Sequence, residues 1–94
     1  MLDERRLRQA VTDWSTKCGR RLAIRRRAME LTQEQLAVMV GVRSTAISKF
    51  ELGLITPKDS TRLAIACALL VEVNEIWPPL ERDYVLTVAH SLVA

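Results

Sequence analysis

The stretch from Thr32 to Gly53 constrains this chain more than any other part of it. Thr32-Gln33-Glu34-Gln35 places a hydroxyl three residues before a glutamine, the reciprocal pattern that satisfies the first free N–H groups of a helix, so a helix begins at Gln33. Leu36, Ala37 and Val40 follow at helical spacing, and Gly41 supplies the left-handed residue that ends a helix and turns the chain. Beyond Val42, Ile47 and Phe50 mark the inner side of a second short helix, from about Ser44 to Leu52, before Gly53 stops it. Two short helices meet at a glycine turn.

The remaining 72 residues must supply the core around them, and a chain of 94 in all fits a single compact domain. Aromatics are only 4% against 49% hydrophobic residues overall, so that core comes from Leu, Ile, Val, Ala and Met, which favours packed helices. The fold class expected is all-α. Leu7, Val11, Trp14, Cys18 and Leu22 trace one stripe of an amphipathic helix. Asp13, Ser15 and Thr16 are better caps than helix formers, which leaves open one long helix or two, about 3–14 and 16–29. Thr56-Pro57 marks a turn, and Asp59 or Ser60 is placed to cap a helix holding Leu63, Ala64, Ile65, Ala66, Ala68 and Leu69. That segment is apolar nearly all round and is expected at the domain centre. Asn74 is placed to cap a last short turn with Ile76 and Trp77, which Pro78-Pro79 terminates.

Past the prolines, Tyr84, Val88 and Leu92 line one side of a final helix, while Val85, Leu86, Ala89 and Val93 line another. A lone terminal helix does not bury both sides on its own domain, so a second chain is expected against it. Tyr84, Val85, Val88 and Leu92 are the expected dimer interface.

Charge is uneven along the chain. Residues 1–30 carry nine basic and four acidic side chains, and residues 61–94 two and four, although the whole sums to only +3. A basic end and an acidic end suggest one face for an anionic partner and another turned away. The start lacks a secretory pattern, and the longest apolar run, Leu63 to Val71, is far short of the ~20 residues a membrane span needs. A cytoplasmic location without membrane contact is expected. Cys18 and Cys67 read as small buried hydrophobes rather than a disulfide. With the sole histidine, His90, they lack the paired spacing of a zinc site, and no nucleophile and base are paired, so neither metal, cofactor, small-molecule substrate nor catalysis is expected.

In the second short helix, Ser44, Thr45, Ser48 and Lys49 fall opposite Ile47 and Phe50. These are small or flexible hydrogen-bonding side chains able to approach base edges in a major groove, while the preceding helix braces across the phosphates. Gln33-Glu34-Gln35-Leu36-Ala37, Gly41-Val42, Ile47-Ser48, Glu51 with Gly53, and Pro57 resemble the phage repressor and Cro group of helix-turn-helix proteins, the XRE family. The resemblance covers about residues 19–77. It implies a five-helix, repressor-like DNA-binding domain at 19–77; residues 1–18, read as a helical extension, and 78–94, read as an extra helix serving dimerisation, lie outside it.

The function implied is a transcriptional regulator, repressor or Cro-like, binding a partly palindromic double-stranded operator as a homodimer. Carried over by position, Ser44, Thr45, Ser48 and Lys49 would face bases, and Gln33 a phosphate. Arg26 and Glu51 would form a partly buried structural ion pair. Three departures bear on these roles. Arg43 stands where the family usually has a capping serine or threonine, so Ser44 is expected to cap and Arg43, with Arg27, to hold phosphates. Glu30 replaces a common glycine, and Ala46 a polar residue. The competing reading is an interaction module of antitoxin or adaptor type that keeps the scaffold without DNA affinity.

Overall fold

The computed structural model describes residues 3–80 and 82–91. The first helix, α1, spans Glu4–Ala28 without interruption. Its start is capped by Asp3, whose carboxylate accepts from the Arg6 N–H at 3.0 Å, and its ends complement the helix dipole with Glu4 first and Arg25, Arg26 and Arg27 last. No break falls at residues 13–16, where three side chains have partners. Ser15 Oγ donates to the Gly53 carbonyl at 3.0 Å, Trp14 Nε1 to the Pro78 carbonyl at 3.1 Å, and Asp13 pairs with Lys17 at 3.1 Å. A serine hydroxyl bound across the fold no longer competes for its own backbone.

Four short helices follow: α2 (Gln33–Val40), α3 (Ser44–Glu51), α4 (Asp59–Ala68) and α5 (Val73–Ile76). The capping box of α2 is complete, with Gln35 N–H donating to Thr32 Oγ1 at 3.0 Å and Thr32 N–H to Gln35 Oε1 at 2.9 Å. Trp14, Cys18 and Leu22 of α1 share one core with Leu36, Ala37, Ile47, Phe50, Ile65, Leu69, Ile76 and Trp77. The last helix, α6 (Arg82–Ser91), lies against α1, and Ala10 and Ala89 are fully buried there. Since α1 runs about 37 Å at 1.5 Å per residue, it sets the long axis of a body of 45 × 23 × 22 Å. The helix passes through residue 18 without a break.

Several local expectations need correction. Ser44 does not cap α3: the cap position is Arg43, without a side-chain hydrogen bond. Lys58, not Asp59 or Ser60, precedes α4, and Asp59 instead pairs with Arg62 inside the first turn. Glu72 precedes α5 and its N–H donates to Glu75 Oε2 at 2.6 Å, leaving Asn74 inside the helix. Only one side of α4 is central. Ile65, Ala66 and Leu69 are buried, whereas Leu63 and Cys67 are exposed, because α2 and α5 pack chiefly on the first side. Cys67 is therefore not the buried hydrophobe expected. Cys18 is, and burial pushes its thiol pKa up to about 11 against the lowering influence of Arg21 and Arg62, so it stays neutral and unreactive near pH 7.

Four helices close the same way, with an N–H reaching back five residues: Leu31 to Arg26, Val42 to Ala37, Leu54 to Lys49 and Val71 to Ala66. The residue before each of these sits in the left-handed region. Gly41 and Gly53 occupy two of those positions, but Glu30 (φ 57°) and Leu70 (φ 58°) occupy the others. An L-residue costs ~1–2 kcal/mol there, of which glycine's extra freedom in the unfolded chain returns ~0.4–1. Glu30→Gly is thus expected to raise stability by about 0.5–1 kcal/mol. The check is the urea midpoint, which should rise at unchanged m-value; a fall would remove strain at Glu30 as the explanation.

Candidate nucleic-acid interface

The α2–turn–α3 unit is held from beneath. Ile47 is 0% and Phe50 8% exposed, and half-buried Ala46 packs on the same core, which explains an apolar residue where the resembling family has a polar one. With that side fixed inward, Arg43, Ser44, Thr45 and Lys49 are exposed and Ser48 is half-buried. The four residues expected to face bases thus lie on the side of α3 away from the core, Ser48 being the most recessed. Exposed Leu52, one turn beyond Ser48, extends the same face and was not anticipated; its apolar character reads as core when taken from sequence.

The position of α3 is set largely by its last residue. Glu51 Oε2 accepts from Arg26 Nε at 2.6 Å and Glu51 Oε1 from Arg26 Nη2 at 3.0 Å, a two-point fork between α1 and α3. Arg26 Nη1 donates to the Leu31 carbonyl at 2.7 Å, and Gln33 Nε2 donates to Glu51 Oε1 at 3.1 Å. Three helices and the turn between two of them are joined through the Arg26 guanidinium and the Glu51 carboxylate it grips. The Glu51 hydrogen bonds, outweighing burial, hold the Arg26 pKa above even its ordinary high range, so the guanidinium keeps its charge. Gln33, expected at a phosphate, has one amide hydrogen committed to Glu51.

Cations surround this face. Arg20, Arg27, Arg43, Lys49 and Lys58 are all exposed, while Arg25 is drawn to Glu75 at 3.4 Å. Arg43 and Lys58 each stand before a helix start with no side-chain cap, where free backbone N–H groups favour an anion. Lys58 was not singled out from sequence, although its place after Pro57 was the available signal. Val85 is half-buried beside Leu7 and Val11 of α1; the side chains of Tyr84 and Val88, and Leu92 altogether, lie outside the described residues. Among the described residues, no group of three or more His, Cys, Asp or Glu is placed to hold a metal ion, and no helix is long and apolar enough to cross a membrane.

Two short helices at a tight turn, the second with a polar outer face, define a helix-turn-helix protein. A family model described as Helix-turn-helix matches residues 22–76, from the core residue Leu22 to the last residue of α5. The chain belongs to this family, the XRE-type helix-turn-helix proteins, and is a DNA-binding transcriptional regulator of that type. No curated protein and no solved structure gives a match.

Proposed function

We propose that this protein is a repressor or Cro-like regulator that recognises a partly palindromic operator as a homodimer, reading bases with Ser44, Thr45, Ser48 and Lys49. The observation that carries this reading is the inward anchoring of Ile47 and Phe50, which turns those hydrogen-bonding side chains toward solvent on a short helix. Arg43 and Arg27 would neutralise phosphates. Gln33 would offer its remaining amide hydrogen and the start of α2.

Two-fold symmetry in the protein would match that of the operator, with the two copies of α3 about 34 Å apart. The groove between α1 and α6, lined by Leu7, Val11 and Val85 among others, supports a second copy there, since one terminal helix leaves these apolar residues only partly covered. Tyr84, Val88 and Leu92 are proposed to join that contact.

Salt dependence tests the DNA reading. A dimer touching on the order of eight phosphates should lose affinity with a slope of about −7 in log K against log salt. An interaction module that has lost DNA affinity would show little binding at any salt concentration.

A further inference from the structure

The outward side of α4 carries apolar side chains that its own domain leaves uncovered. Leu63 is 57% exposed, Cys67 stands exposed one turn on, and Leu70, just past the helix end, is 80% exposed, more than any other large hydrophobic side chain among the described residues. Leu70 is also held in the left-handed region at φ 58°, where Gly41 and Gly53 stand at the corresponding ends of α2 and α3. Its side chain thus costs backbone strain and gains little burial. Ser60, exposed, and Ala64, half-buried, complete this side, and none of the five residues is charged. Unpaired charge lies at its two ends. Lys58 precedes α4 and Glu72 follows its closing turn; both are exposed, and among the described residues neither pairs with an opposite charge. The nearer acid, Asp59, is held by Arg62.

We infer that this side of α4 is a contact between copies of the chain, with α4 of a second copy lying antiparallel across it. The order of charges selects that occupant. With Leu63 opposite Cys67 of the second copy, Ser60 falls opposite Leu70 and Lys58 opposite Glu72, and two-fold symmetry repeats each pairing. Every leucine then meets a smaller side chain, and every unpaired charge its opposite. Parallel pairing would instead set lysine beside lysine. A face of about 15 Å, one helix wide, is smaller than the ~1,200 Å² of a stable interface, so the contact is weak and depends on concentration. It is separate from any pairing through α1 and α6, since α6 packs on α1 whereas α4 packs chiefly on α2 and α5. The inference goes beyond the operator reading and does not rest on it.

The test is crosslinking of the full chain, without DNA, by a short bismaleimide over a range of protein concentrations. Cys18 is buried with its thiol neutral, so Cys67 is the thiol that reacts. Covalent dimer should form with a yield that rises with concentration, and Leu63→Glu, which sets a carboxylate in the contact, should lower that yield about tenfold at unchanged melting temperature. Lys58→Glu should lower it too, and Lys58→Glu/Glu72→Lys should restore it, because the exchange re-forms both ion pairs. Leu70→Gly should lower the yield and yet raise the urea midpoint of dilute protein, opposite effects that a role for Leu70 in the fold would not produce. Equal yields from the parent and Leu63→Glu would mean random collision of exposed thiols and overturn the inference. So would a charge exchange that fails to restore the Lys58→Glu loss, or a lower urea midpoint from Leu70→Gly. A parent Cys67 that stays unlinked at every concentration would leave this side of α4 to a different protein and overturn the self-contact as well. None of these outcomes touches the operator reading.

Discussion

Glu51→Ala is expected to lower the unfolding free energy by about 3–5 kcal/mol. Arg26 is 8% exposed and makes its fork only with Glu51, so truncation strands a full charge with two unsatisfied donors beside the core. The Leu31 carbonyl remains on Nη1 and replaces neither. Gln33 loses its acceptor in the same step, which loosens α2 against α3. Against ~5–15 kcal/mol for a small domain, this is enough to leave a sizeable unfolded fraction at moderate temperature. The Arg25–Glu75 pair gives the contrast: at 3.4 Å and over 40% exposed on both sides, its removal should cost at most ~1 kcal/mol. Urea melts of Glu51→Ala and Glu75→Ala side by side decide the matter, and equal midpoints would reject the structural role given to Arg26 and Glu51.

Gly19→Ala is the second large effect, and its direction runs against helix propensity. Gly19 lies inside α1, where alanine would ordinarily gain ~1 kcal/mol. A Cβ there would stand 2.4 Å from the Glu51 carbonyl oxygen and 2.6 Å from that of Phe50. Both are backbone atoms at the end of α3, so no rotamer change relieves the contact; α1 and α3 must separate. The expected net loss is about 2–3 kcal/mol, at the upper part of the usual overpacking range, and it should weaken DNA binding as well because the anchor of the reading helix shifts. Thermal melting checks it: a drop of roughly 8–20 °C is expected for a domain of this size. A variant melting at or above the parent temperature would mean that the close approach of α1 to α3 contributes nothing.

The helix-turn-helix unit was legible because its signals are local. Thr32 and Gln35 form their box within one turn, Gly41 supplies its own left-handed turn, and Ile47 with Phe50 declares the inner side of α3 by spacing alone. What was not legible depended on partners distant in sequence. Whether α1 continues through Asp13, Ser15 and Thr16 is decided by Gly53 and Pro78, more than 30 residues away. The exposure of Leu63 and Cys67 follows from where α2 and α5 happen to cover α4, which hydrophobicity does not encode. Glu30 and Leu70 in left-handed positions carry no compositional mark, although the resemblance flagged Glu30 as standing where glycine is common. In the site, the Arg26–Glu51 fork joins residues far apart along the chain, which spacing does not pair and the family resemblance does.

The central claim is that the outward side of α3 reads base pairs. Selection of bound duplexes from a random pool, run in parallel with the parent protein and Lys49→Ala, tests it most directly. The account predicts enriched sites with two related half-sites, and relaxed preference at the same one or two base pairs of each half-site when Lys49 is removed. Absence of enrichment with the parent protein, or identical enriched sites after every outward residue of α3 has been replaced by alanine, would contradict it.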